Sequence, residues 1–261
     1  MTFSSINGVY GWNGLDWTPE GGIVFTAGVD RSNVICVMDA DGSNIRQLTT
    51  AGFFDQTPTA TSDGRYVVFQ SNRSGAAEIW RVGADGSDLR QLTTGGGSSA
   101  PHATPDGKWV VFISKRDGKS VVWRVSIDGG ESVRLTDKVS TDLCVSYDGK
   151  LIACGYGADD NAPLQLAVVS LEDGKPVKLF EVPISANFTQ SIRWTPDHKA
   201  VCYRDWANGV WRQDINGGPP QRLRGLPNEK LYAYGWSRNG KLFAFTRGSE
   251  IRDAVLIADF K

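Results

Sequence analysis

This chain has little of what catalytic and metal sites are usually built from. Only two histidines, His102 and His198, occur in 261 residues. They fall in different segments, so no histidine pair is available to share a metal. The four cysteines include no Cys-x-x-Cys, which removes the usual zinc and redox frameworks. Cys36, Cys154 and Cys202 stand in strand-like runs where sister runs carry Trp, Phe or Val, and they read as small buried hydrophobes. The net charge is −1 and the pI about 6.1, which leaves no basic footprint for nucleic acid and no polybasic face for anionic lipid. Purely apolar runs such as Trp109 to Ile113 are far shorter than the ~20 residues of a membrane helix, so direct membrane insertion is not expected. The start, MTFSSINGVYGW, has no charged region followed by an apolar core and does not read as a signal peptide. No Gly-x-Ser-x-Gly elbow or phosphate-cradling loop is present, and nothing calls for a cofactor. No window carries a 3.6-residue apolar period, so helix should be nearly absent.

What is present is repetition. Between Pro101 and Asp137 the chain reads as four short strands. Pro105-Asp106-Gly107 separates the first two, KRDGK the middle pair, and Asp128-Gly129-Gly130 the last two. Short β-branched and aromatic runs bounded by Asp-Gly and Pro form a meander, one that cannot bury both of its faces alone. The same unit recurs. Glu20, Asp63, Asp106, Asp148, Asp197 and Asn239 hold one place in TPEGG, TSDGR, TPDGK, SYDGK, TPDHK and SRNGK, at spacings of 43, 43, 42, 49 and 42. Four strands at a 40–45-residue period are the signature of propeller blades. DADGSN at Asp39 to Asn44 looks like the start of a calcium loop, but Gly42 comes too early and Thr50 stands where a Glu is needed, so it reads as a hairpin turn.

These units resemble the TolB-type, PD40 or WD40-like, propeller repeat. SDGR, FQSNRSG, EIWRV and DGSDLRQLT carry the likeness in repeat two; TPDGK, FISKRDG, VVWRV and DGGESVRLT carry it in repeat three. The resemblance implies an all-β fold: one six-bladed β-propeller domain over residues 1–261, with four-stranded antiparallel blades. Counting by period, residues Thr2 to Ile6 supply the outer strand missing from the last repeat, after AVLIADF, and close the ring. The ending from Trp236 to Lys261 is similar to propellers attached to bacterial membrane-anchored Ser/Thr kinases. That implies a sensor or docking module of a larger protein, with no enzymatic activity. It also implies an extracytoplasmic location if the parent protein is membrane-anchored, with a cytoplasmic one still open. Two alternatives stay open: a lyase- or lactonase-type propeller enzyme using His102, and the gating propeller of a prolyl-oligopeptidase-like peptidase.

In propellers the Asp-Gly turns between strands one and two lie on one face, and the interblade and strand two–three loops on the other. The turns vary little here, whereas repeat four is lengthened at 157–163 and 181–189. Loop variation over a fixed scaffold places recognition of a protein, peptide or small ligand on the loop face. The candidate ligand-binding residues there are Phe54, Arg73, His102, Arg116, Tyr156, Asp160, Arg193, Trp206 and Tyr234. Arg73 and Arg116 hold the Arg of the repeat signature, for which bracing of loops through carboxylates is the favoured reading over ligand contact. Trp80, Trp123 and Trp211 occupy one strand position and should pack between blades. No catalytic residue, metal site or cofactor is expected, and the chain should be a monomer.

Overall fold

The computed structural model describes residues 14–159, 162–182, 186–187, 191–205, 209–226 and 231–247. Among the described residues every regular element is a strand. The first blade is β1 (Leu15–Trp17), β2 (Ile23–Val29), β3 (Ser32–Met38) and β4 (Arg46–Gln47). The second is β5 (Gln56–Ala60), β6 (Tyr66–Ser71), β7 (Glu78–Gly83) and β8 (Arg90–Gln91). The third is β9 (Ser98–Ala103), β10 (Trp109–Ser114), β11 (Val121–Ser126) and β12 (Val133–Arg134). The fourth is β13 (Val139–Val145), β14 (Leu151–Gly157), β15 (Gln165–Ser170) and β16 (Pro176–Phe180). Each is an antiparallel meander in chain order. In the fifth blade the inner strand is split into β17 (Ala186–Asn187) and β18 (Arg193–Trp194). Both pair with β19 (Ala200–Asp205), which is followed by β20 (Gly209–Asp214) and β21 (Gln221–Arg222).

The structure therefore shows five blades, not the expected six. The sixth repeat contributes a two-stranded sheet, β22 (Leu231–Trp236) with β23 (Phe243–Arg247). The count of six came from hairpin landmarks, and a hairpin certifies only a first and a second strand. The third strand expected at 254–260 and the closing strand at 2–6 lie outside the described residues.

The core lies between the sheets. Six apolar clusters each join two neighbouring sheets. On β10, Val110 and Phe112 pack toward Val68 and Ile79 of the second blade, while Val111 and Ile113 pack toward Leu143 and Ile152 of the fourth. Strand side chains alternate between faces, so a run apolar at every position belongs to a strand buried on both. The last sheet packs against the first blade, where Ala233 joins Leu15, Trp17 and Phe25. There Trp17 Nε1 donates to the Gly235 carbonyl at 3.1 Å. Trp194 Nε1 makes the same bond to the Cys144 carbonyl at 2.9 Å, between blades five and four.

The repeated turn has a specific chemistry. Thr104 Oγ1 donates to Asp106 Oδ1 at 2.6 Å and accepts the Trp109 N–H, while Asp106 Oδ1 accepts the Lys108 N–H. Thr61 with Asp63, Ser146 with Asp148, Thr195 with Asp197 and Ser237 with Asn239 repeat the arrangement. The Thr195 hydroxyl holds the Asp197 carboxyl below its ordinary range. His198 takes the turn position at φ 59°, where Gly107 has 69°.

Trp123 is 7 % exposed, and its indole N–H is buried without a partner. Replacing it with Ala is expected to cost about 3–5 kcal/mol through the cavity left between blades two and three. Trp123→Phe loses volume but also removes the unsatisfied donor, and its cost should stay below about 1.5 kcal/mol. Urea denaturation of both variants measures the difference, and equal losses would overturn the assignment of Trp123 to a packing role.

Candidate functional site

Position four before each turn landmark holds Asp16, Thr59, His102, Cys144, Arg193 and Gly235. These six side chains or backbones line a single cavity at the hairpin end of the central shaft. Two residues further along, at Thr18, Thr61, Thr104, Ser146, Thr195 and Ser237, only Thr and Ser occur. The turn explains that restriction, because a hydroxyl must cap the acid. No such demand acts on the shaft position, where all six residues differ.

A second regularity shapes the same strands. Gly14, Thr57, Ala100 and Asp142, each six before its landmark, have φ of 94°, 54°, 49° and 47°. The pairings shift register there in β5, β9 and β13, as a bulge requires. A left-handed conformation at a non-glycine residue costs about 1 kcal/mol or more, so three of these inner strands hold local strain beside the shaft. Asp142 is anchored in return: its Oδ2 accepts the Ser191 and Ile192 N–H groups at 2.7 and 3.0 Å, tying blade four to blade five.

The shaft cavity has a volume of about 60 Å³, room for a few waters or one inserted polar group. A second cavity toward the loop end is lined by Thr57, Pro58, Ala100 and Asp142, and His102 and Arg193 line both. Asp16 Oδ2 accepts the Ala60 N–H at 3.0 Å. Arg238 reaches the Ala60 carbonyl at 3.3 Å. Arg193 bonds through Nη1 to the Ile192 carbonyl at 2.8 Å, and among the described residues it has no carboxylate in an ion pair. Burial and the Arg193 charge push His102 down to about 3, so its imidazole is neutral. Burial pushes Asp142 up to about 6 against the pull of Arg193, and raises Asp16 as well. His102 Nε2 lies 3.5 Å from Cys144 Sγ, and His102 Nδ1 is buried without a partner. Burial lifts the Cys144 thiol to about 11. A neutral imidazole beside a protonated thiol is neither an activated nucleophile nor a base poised near neutrality.

Of the residues expected on the loop face, the structure brings His102 and Arg193 together, inside the shaft. Phe54 is displayed at 51 % exposure. Arg73 pairs with the buried Asp55 at 2.6 Å, bonds Ser71, and lies over Phe53, Phe69 and Trp80. Arg116 lies over Phe112 and Trp123 and bonds Ser114 and Ser98. Tyr156 is half-buried against the cluster between blades three and four. Tyr234 is buried, its hydroxyl donating to the Ser191 carbonyl at 2.5 Å as a tie between blades. Asp160 and Trp206 lie outside the described residues. Sequence reasoning missed Asp16, Asp142 and Cys144, although counting back from the turn acids would have found all three.

The family model described as the TolB beta propeller domain, PD40, matches residues 4–172. The Tol-Pal system protein TolB of Bordetella pertussis is 38% identical over 52 residues, a stretch covering 20% of this chain and 12% of that protein. The chain thus aligns with only about an eighth of the length of the curated relatives it matches. Among solved structures, TolB from Acinetobacter baumannii superposes with a TM-score of 0.66 at 22% identity, over 78% of this chain and 52% of that one. Hydrazine synthase of Kuenenia stuttgartiensis superposes with a TM-score of 0.67 at 14% identity, over 94% and 75% of the two chains. At these identities the likeness is one of fold.

The shaft carboxyl and imidazole act oppositely on stability. Folded His102 stays neutral down to about 3, while an ordinary histidine protonates at 6.5, so stability from this group is lost as the pH falls from 6.5 toward 3. Asp142, protonated up to about 6 against an ordinary 3.8, contributes stability below 3.8 and loses it as the pH rises through 6. Between those values the two offset each other. Asp142→Asn keeps the acceptor for both amides and leaves His102 opposed by Asp16 alone, so its melting temperature should fall more steeply than the parent's from pH 6.5 to 4. His102→Gln should fall less steeply than the parent. Parallel profiles for all three proteins would refute the opposition.

Proposed function

Because the chain belongs to the TolB β-propeller family, we propose that it is a non-catalytic protein-binding module whose partner engages the central shaft. One observation carries this reading: the shaft position is the place in the repeat where six repeats, five blades and the last two-stranded sheet, present six different residues, Asp16, Thr59, His102, Cys144, Arg193 and Gly235, around one cavity. Packing and turn formation ask for the same side chain in each blade. A ring of unlike side chains answers to something that enters it, and Arg193 supplies a buried charge that, among the described residues, has no carboxylate in an ion pair. The cavity's size suits one inserted side chain or a chain terminus from a larger partner. A protonated thiol and a neutral imidazole give the lyase or lactonase alternative no activated group.

The curated relatives are named for a Tol-Pal system, and a protein component of such a system is the natural first partner to test. An extracytoplasmic location accompanies that choice. The kinase-sensor arrangement implied by the C-terminal resemblance has no counterpart among these relatives, and the binding reading stands without it. The rim residues Phe54 and Tyr156 would extend contact outward from the loop end of the shaft.

Titrating the chain against purified Tol-Pal components of its own organism by calorimetry tests the proposal. Arg193→Met and His102→Gln should each weaken binding about tenfold or more, with little change in melting temperature, while the exposed Arg65→Ala should not. Binding undiminished in both shaft variants, or no binding by any component, would overturn it.

A further inference from the structure

Blades two and three carry the same arginine in two different settings. Arg73 and Arg116 each stand ten residues after their turn acid. Each guanidinium lies over a β6- or β10-strand phenylalanine and the matching tryptophan: 5.5 and 5.2 Å for Arg73, 5.4 and 4.9 Å for Arg116. Each Nε donates to the serine two residues earlier, at 2.9 and 3.1 Å. The frames are the same, but what faces them differs.

In blade two the frame is filled and covered by the chain itself. Asp55 places Oδ2 2.6 Å from Arg73 Nη2, with the acid fully buried and the Arg73 side chain 6 % exposed. The Phe53 ring lies 4.9 Å from the same guanidinium. Phe53, Phe54 and Asp55 correspond by repeat position to Gly96, Gly97 and Ser98 in blade three. The acid has become Ser98, whose Oγ is 3.4 Å from Arg116 Nη2, at the weak limit of a hydrogen bond. Both aromatics have become glycines. Gly95, Gly96 and Gly97 all take left-handed φ, at 105°, 79° and 71°. The stems of Arg116 and Lys115 are what a side-chain carbon at Gly95 and Gly97 would meet. Blade four offers the control: where Ser140 replaces the acid, Ala158 replaces the arginine too. Of blades two, three and four, only blade three has lost the carboxylate and kept the charge.

We infer that Arg116, framed by Trp123 and Ser114 and left uncovered by Gly96 and Gly97, is a carboxylate-binding site on the loop face, separate from the shaft. A planar guanidinium held by aromatic faces and one serine is oriented before its ligand arrives, and a carboxylate is the group that its twin already holds. The adjacent exposed Lys115 adds charge of the same sign. The nearby Asp117 is turned to Arg134, at 3.9 Å, and Glu78 is occupied by Thr93 Oγ1 and the Gly96 N–H. The ligand is an acidic side chain of a protein or a free small carboxylate.

The test follows the Arg116 Nε–H resonance of the ¹⁵N-labelled chain, assigned by its loss in Arg116→Met. Sodium acetate and a blocked oligo-aspartate peptide are titrated against sodium chloride at matched ionic strength. Saturable movement with the carboxylates and none with chloride is expected. An apparent affinity for the peptide about tenfold above acetate assigns a protein ligand, and equal affinities a small carboxylate. Ser98→Asp should rebuild the blade-two pair and abolish the response. Should the buried aspartate prevent folding, Ser98→Ala serves instead: it removes a neutral neighbour and should leave the response saturable. Arg193→Met should leave the response intact, which keeps this site distinct from the shaft reading. Absence of saturable movement with both carboxylates, or an Arg116 response in Ser98→Asp equal to the parent's, would overturn the inference.

Discussion

Every part of this protein depends on the need of each small sheet to bury two faces. A four-stranded meander with Val, Ile, Phe and Trp on both sides is unstable in water by itself. It becomes stable when each face is covered by the next sheet. The six interblade clusters satisfy that need in turn, and the pairing of the last sheet with the first blade through Ala233 and Trp17 carries it round. The shaft follows from the same constraint. Inner strands that must all present their faces sideways turn their edges toward a common axis.

Along that axis the physical demands change. Away from it, packing and turn geometry select the same residue type repeatedly: Thr or Ser before the turn, Asp within it, an aromatic on the third strand. On the axis neither packing nor the turn asks for one residue type, and Asp16, His102, Cys144 and Arg193 differ from one repeat to the next. Burial then acts on the groups placed there. It neutralises His102 and lifts Asp142, while Arg193 keeps its charge beside them. The result is a polar but weakly titrating interior, suited to recognition more than to proton transfer.

The arginine frames show how one repeat can serve structure in one blade and be released from it in another. Arg73 with Asp55 braces the loops of blade two, dry and enclosed. The three replaced positions leading into β9 remove acid and cover together, and leave the Arg116 frame standing because Trp123 and Ser114 hold it. Internal repeats permit this comparison within a single molecule.

The sequence by itself determined the repeat, the strands, the turn chemistry and the third-strand tryptophans packed between blades, because these rest on contacts between near neighbours in the chain or recur at a fixed period. Thr104, Asp106 and Gly107 can be read as a turn without knowing what lies beside them. Only the tertiary structure decided how many blades are complete, since a hairpin landmark says nothing of the strands that follow it. Only it brought Asp16 against the Ala60 amide and Cys144 beside His102, and showed that Tyr234, expected on a rim, is a tie between blades. These are contacts between blades, separated by 42 to 44 residues in the chain. Which residues meet across that distance is set by the packing of whole sheets, and no local pattern encodes it.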